Sequence, residues 1–163
     1  MKLKVIDDFL SSQDHSLLQK TMMENDEFSW TFSNGINIPG DGHHQFTHVF
    51  YHQFEPRSKF FYDLAPIVNE LGAVAFVRIK GNLNMETPER VQFGFHTDVD
   101  DCITAIYYVN TNDGYTLFED GTKVDSIANR MLVFDSNMKH AGCTPTDTLR
   151  TVSYTHLTLP TKA

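Results

Sequence analysis

The chain of 163 residues is short of cysteine, of basic charge and of long apolar runs. Its two cysteines, Cys102 and Cys143, are too few for a disulfide scaffold, so a reducing, cytoplasmic setting is the default expectation. Thirteen Lys and Arg stand against 21 Asp and Glu, a formal net charge of -8. Nucleic acids and anionic membranes both recruit basic surface, so neither is expected as a general partner, although a locally basic pocket stays open. No apolar run approaches the roughly 18 residues of a membrane span. The opening Met1-Lys2-Leu3-Lys4-Val5-Ile6-Asp7-Asp8 meets acid before a signal-peptide core could form. Repeats, low-complexity tracts and long linkers are also missing, which leaves one domain over 1–163 as the expectation. Apolar, aromatic and imidazole side chains, by contrast, are plentiful: 40% of the chain is hydrophobic, with 13 Phe, 6 Tyr and 8 His. That is enough for a real core and for site chemistry.

The hydrophobic period changes near residue 73. Residues 14–24 read as a short helix capped by Ser11 or Ser12, with Leu17, Leu18 and Met22 as its buried stripe. The glycines and Pro39 among residues 29–54 suggest a long loop with one strand, Phe46 to Phe54. Pro56 can open a second helix whose stripe is Phe60, Leu64, Ile67 and Leu71, closed by Gly72 and kinked or stopped at Pro66. From residue 73 the period is 2. Strands are expected over 73–80, 102–109, 115–118, 124–127, 131–135 and 149–154, with turns at Asn112-Asp113-Gly114 and Asp120-Gly121. Two helices buttressing a β-sandwich or barrel is the resulting fold class.

Chemistry concentrates at Phe95-His96-Thr97-Asp98. In extended chain, residues two apart share a face, so His96 and Asp98 converge. An imidazole and a carboxylate so placed supply two-thirds of the facial triad that holds non-haem Fe(II). His140, beyond the apolar run Met131-Leu132-Val133-Phe134-Asp135, qualifies as the third ligand, leaving open positions on an octahedral metal. Arg150 lies ten residues further on, a lone cation on a core-forming strand. Guanidinium there needs an anion, and a carboxylate suits its fork.

This ordered set resembles the Fe(II)- and 2-oxoglutarate-dependent dioxygenases, specifically their prolyl-4-hydroxylase-like branch. Cys102-Ile103-Thr104-Ala105-Ile106-Tyr107-Tyr108-Val109-Asn110 resembles the strand after H-x-D in that branch, and Asn129-Arg130-Met131-Leu132-Val133-Phe134-Asp135 the segment leading to the distal His. The resemblance covers about residues 74–152 and implies a double-stranded β-helix, mainly β, with supporting N-terminal helices over 1–72 and a core over 73–154. It implies His96, Asp98 and His140 as iron ligands. Arg150 would pair with the distal carboxylate of 2-oxoglutarate, Tyr108 would donate its hydroxyl to that carboxylate, and Thr104 would line the same pocket. Both Tyr108 and Thr104 also read as core residues. Implied cofactors are Fe(II), 2-oxoglutarate as cosubstrate, O2 and, as in relatives, ascorbate. The implied reaction hydroxylates a substrate C–H and releases succinate and carbon dioxide. A prolyl residue in a peptide is the implied substrate, with small molecules as the other class. Arg78, Lys80 and Asn82 fall where the branch often places further contacts, but read by themselves as solvated strand-end groups.

Two other readings stand beside this one. A non-catalytic β-helix that binds a metal or small ligand is the alternative function. His44, His48 and His52 would make a zinc face on a helix. Gly40, Gly42 and Thr47-His48-Val49-Phe50-Tyr51 favour a strand instead, which would also put the even-numbered histidines on one face. Finally, Thr151-Val152-Ser153-Tyr154 begins a closing strand, but Thr155 to Ala163 does not read as its completion, and Pro160 excludes a central strand there. Residues 155–163 are read as a processing or sequence-assembly scar, outside the fold.

Overall fold

The first helix forms where a cap and a narrow apolar stripe coincide. The Ser11 hydroxyl accepts the Asp14 N–H at 3.1 Å, and Asp14 and Lys20 lie at the dipole ends that favour their charges. Leu18 and Met22, four residues apart, are buried, whereas Leu17 is 65% exposed because it lies about 100° round the helix from that line. The computed structural model describes residues 3–158. In chain order the elements are β1 (Lys4–Ile6), α1 (Ser12–Met23), β2 (Thr31–Ser33), β3 (Gln45–His52) and β4 (Glu55–Pro56). A 3-10 helix (Lys59–Leu64) then runs into α2 (Ala65–Leu71). The rest is strand: β5 (Ala75–Asn84), β6 (Ile103–Tyr108), β7 (Tyr115–Phe118), β8 (Lys123–Asp125), β9 (Arg130–Asp135), β10 (His140–Gly142) and β11 (Arg150–Thr158).

The second helical segment departs from expectation in an instructive way. Pro56 belongs to β4, and Ser58 caps the 3-10 turn by accepting the Phe60 N–H at 3.1 Å. Pro66 does not kink a helix; it stands in the first turn of α2, where a missing N–H removes no intrahelical bond. Gly72 closes α2 in the left-handed region at φ 60.

One large antiparallel sheet has the order β1-β9-β6-β11-β5-β3-β2, with β4 on β3, and a smaller sheet has the order β10-β7-β8. Residues 92–96 extend the smaller sheet through bridges from Gln92 to Cys143 and from His96 to His140. The first 72 residues are therefore more than helical support, since β1, β2, β3 and β4 all join the large sheet. Two cores follow from strand parity. Ala105, Tyr107 and Val109 pack with Leu18, Met22, Leu64 and Ile67 under the helices. Ile106 and Tyr108 face the other way and pack with Phe118, Leu132, Phe134 and Val152 between the sheets. A strand covered on both faces reads as a continuous apolar run, which is why β6 stands out in the sequence.

The end of the chain corrects the sequence reading. β11 does not stop at Tyr154 but continues to Thr158, paired with β5 on one side and β6 on the other, and Thr155, His156 and Leu157 are buried. Ladder hydrogen bonds come from the backbone and accept any residue but proline, so two flanking strands hold this segment despite its irregular side-chain pattern. Its poor fit shows in the side chains: Ser153 Oγ and His156 Nδ1 are buried without a hydrogen-bond partner. Pro160 lies outside the described residues.

Candidate active site

His96 and His140 are held side by side by a two-way backbone bridge, each N–H donating to the other's carbonyl at 3.0 Å. Their ring centroids are 4.5 Å apart. Asp98 is fixed two residues on, its N–H donating to Ser136 O at 3.0 Å. Asp98 Oδ1 lies 3.8 Å from His96 Nε2, and Asp98 Oδ2 lies 3.5 Å from His140 Nε2. One ligand atom from each of the three residues falls within a cluster no more than 4.8 Å across. His96 and Asp98 thus share a face, as the H-x-D spacing predicts, and His140 arrives from the neighbouring strand.

The surroundings fit a divalent metal. His140 Nδ1 is 2.9 Å from Met138 O, a bond in which the ring donates, so Nε2 carries the lone pair. That Nε2 is buried without a hydrogen-bond partner. The Thr104 hydroxyl donates to Asp98 Oδ2 at 2.7 Å and lies 2.9 Å from Ser136 Oγ. Burial works against the charged form of Asp98, but the His156 and His140 rings and the Thr104 hydroxyl outweigh it and hold the carboxyl below its ordinary range. Burial lowers the His140 pKa, against the pull of Asp98. An ionised carboxylate and a neutral imidazole are the forms that ligate. Among the described residues this is the one His, Cys, Asp or Glu group that can hold a metal ion. The zinc face does not form. His48 packs inward, its ring nitrogens 2.7 Å from Ser29 O and 2.8 Å from Ser58 Oγ. A bulge between Val49 and Tyr51 then turns His52 to stand opposite Arg78, so the even-numbered histidines do not share a face.

One pocket is lined by His96, Asp98 and Arg150, with Lys80, Asn82 and Asn84 along its β5 wall and Tyr154 and His156 from β11. Arg150 is 1% exposed and has no carboxylate partner among the described residues. Its guanidinium donates to Ser126 Oγ at 3.1 Å, Thr116 Oγ1 at 3.3 Å and Asn84 Oδ1 at 3.4 Å, all neutral groups. With Tyr154 also beside it, this buried cation meets neutral groups but no carboxylate, and so lacks a counter-ion among the described residues. Asn84 Nδ2 and Asn82 Oδ1, in the same wall, are also buried without partners. Tyr108 lies beside Arg150, whose guanidinium sits 5.8 Å from the ring centre, but its hydroxyl is engaged with Thr116 Oγ1 at 2.8 Å. Thr104 lies at the metal end, buttressing Asp98, and not along the wall.

Sequence reasoning left Asn84, Thr116, Ser126 and Ser136 unmarked, and it took Lys80 and Asn82 for solvated groups. The signal was there. Arg78, Lys80, Asn82 and Asn84 alternate with Ile79, Gly81 and Leu83, a half-polar strand. Such a pattern ordinarily marks a solvent face, but here the polar face turns towards the pocket.

Comparison with known proteins agrees on the fold. No protein-family model and no curated protein sequence matches this chain. Among solved structures, a Trichoplax adhaerens prolyl hydroxylase, in complex with a hypoxia-inducible-factor peptide fragment, is similar with a TM-score of 0.62 at 15% identity, over 95% of this chain and 83% of that one. A Pseudomonas putida prolyl-4-hydroxylase is similar with a TM-score of 0.61 at 15% identity, over 98% and 93%. The non-haem alpha-ketoglutarate-dependent epimerase SnoN from nogalamycin biosynthesis reaches 0.69 at 10% identity, over 96% and 77%. The chain therefore has the double-stranded β-helix fold of the 2-oxoglutarate–Fe(II) oxygenases, prolyl hydroxylases among them. Within that fold it carries a His–Asp–His group able to hold a metal ion. No helix among the described residues is long and apolar enough to cross a membrane.

Proposed function

We infer that the protein is an Fe(II)- and 2-oxoglutarate-dependent dioxygenase that hydroxylates a substrate C–H, with a prolyl residue in a peptide as the substrate its structural neighbours favour. One observation supports this above the others: His96 and Asp98 of the three-residue cluster line one pocket with a buried Arg150 that has no carboxylate partner among the described residues. That lining suits a ligand with a chelating end for the cluster and an anionic end for Arg150, which describes 2-oxoglutarate. Iron bound by His96, Asp98 and His140 would supply the activation of O2, coupled to conversion of 2-oxoglutarate to succinate and carbon dioxide as substrate C–H becomes C–OH.

The chain's own contribution is positioning. Arg150, with Asn84 beside it, would take the distal carboxylate bidentately. His96, Asp98 and His140 would hold the metal from one side, which would leave room for the cosubstrate to bind it. Met138 O and Thr104 fix the orientation of His140 and Asp98, so the ligand face is preorganised. Phe93 and Ile36 line the pocket and keep water away from it.

The test is anaerobic titration of Fe(II) into the protein with 2-oxoglutarate, following the metal-to-ligand charge-transfer band in the visible. The band should form with the native chain, vanish in His96→Ala and weaken in Arg150→Ala. No band in the native chain would overturn the dioxygenase reading and leave a non-catalytic β-helix.

A further inference from the structure

The inner face of β5 carries more positive charge than one cosubstrate can answer. Asn84 stands opposite Arg150, Lys80 opposite Tyr154 and Arg78 opposite His156 in the β5–β11 ladder. His156 Nε2 lies 3.3 Å from Asp98 Oδ2, so the Arg78 end of β5 is the metal end. At about 3.4 Å per residue, Lys80 sits about 13 Å along the strand from Asn84. Lys80 feels the charges of Arg78 and Asp98 in particular. Arg78 stands six residues from Asn84 on that strand, about 20 Å at this rise, so its charge is separate from the one that Arg150 presents.

Neither cation is paired with a carboxylate among the described residues. Among the described residues, Lys80 and Arg78 make no ion pair and no side-chain hydrogen bond, and Arg78 Nε is buried without a partner. Burial, and then the charge of Arg78, lowers the Lys80 pKa to about 8, with Asp98 pulling the other way. Carboxylates are abundant in this acidic chain, so two neighbouring cations without one, beside the metal ligands, are poised for an anion from outside.

The geometry points to Lys80 and Arg78 as the station that receives a carboxylate of the primary substrate, placed next to the carbon to be hydroxylated. This rests on the dioxygenase reading and adds the substrate's charge. The carboxylate belongs either to an acidic side chain flanking the target in a peptide or to the substrate's own main-chain carboxyl.

The experiment uses the full chain loaded anaerobically with Fe(II) and 2-oxoglutarate, with formation of the charge-transfer band checked first. Calorimetry then compares matched probes: acetylated, amidated Glu-Pro-Gly against Gln-Pro-Gly, and free L-proline against L-prolinamide. The carboxylate member of at least one pair should bind about tenfold to a hundredfold tighter than its amide, the range of a charge-assisted bond. Preference in the peptide pair identifies an acidic side chain, and preference in the proline pair a main-chain carboxyl. Lys80→Met and Arg78→Met should each erase the preference while leaving the band and the affinity for 2-oxoglutarate unchanged. A native protein that forms the band but prefers no carboxylate overturns this inference alone, whatever the variants do. So does a Lys80→Met variant that loses 2-oxoglutarate affinity, because Lys80 would then serve the cosubstrate. A native protein without the band overturns the dioxygenase reading, and this inference with it.

Discussion

Arg150→Met separates a structural arginine from one poised for a ligand. Breaking a buried ion pair by removing one partner costs about 3–5 kcal/mol, because the other charge is stranded. Arg150 strands nothing charged, since its acceptors are Ser126 Oγ, Thr116 Oγ1 and Asn84 Oδ1. Losing these bonds costs about 1.5–3 kcal/mol each at ideal geometry, less at 3.3 and 3.4 Å. Against that, methionine has similar length and removes a desolvation penalty of several kcal/mol. The two sides nearly cancel, so the ligand-free variant should stay within about 2 kcal/mol of the native chain, about 4–8 °C in Tm at this size. Ligand response should change far more. At a hundred times Kd, a ligand that binds only the folded state adds about 2.7 kcal/mol, so 2-oxoglutarate with Mn(II) should raise the native Tm by about 5–10 °C. In Arg150→Met that rise should be absent. Thermal melts with and without 2-oxoglutarate decide the matter. A ligand-free loss beyond about 10 °C, or an intact rise with 2-oxoglutarate, refutes the argument that Arg150 waits for an anion.

Three further perturbations test the surrounding shell. Thr104→Val removes the hydroxyl that donates to Asp98 Oδ2 and keeps the volume, so Mn(II) affinity, measured by electron paramagnetic resonance, should fall about tenfold to a hundredfold with little change in Tm. Gly114→Ala would put a methyl 2.8 Å from Asn112 Oδ1 and 3.0 Å from Arg150 Cδ, displacing the guanidinium; 2-oxoglutarate should bind about tenfold more weakly by calorimetry while metal affinity holds. Asp41 accepts the Asn37 N–H at 2.9 Å and the His43 N–H at 3.0 Å, and these and neighbouring backbone bonds lower its pKa to about 2. A depressed carboxyl stabilises above its unfolded value and stops doing so as pH falls towards 2. Amide protection factors at Ile36, Asn37 and His43 should therefore drop between pH 4 and pH 2, and Asp41→Asn should show the low values at every pH.

What could be read from the chain divides along a physical line. The candidate metal group was legible because H-x-D places two donors on one face through local geometry alone, and strand β6 because double-sided burial writes a continuous apolar run. Interactions set by pairing register were not. Asn84 meets Arg150 across a ladder joining positions 66 residues apart, and Thr104 turns to Asp98 because β6 and β9 bring Ser136 alongside it. Parity was a sound guide to direction but not to exposure. Alternation along β5 sets Lys80, Asn82 and Asn84 on one face, but the chain alone reads as solvated there what the fold turns towards the pocket. The same argument explains both errors about strands. A bulge between Val49 and Tyr51 reverses parity and separates His48 from His52, and no composition signal announces it. The segment after Tyr154 looked unfit for a core strand and its side chains bear that out, with His156 Nδ1 buried without a hydrogen-bond partner. Backbone pairing on both sides holds it regardless. Its membership of the sheet is thus a property of β5 and β6, and that pairing in turn carries His156 to within 3.3 Å of Asp98 in the pocket.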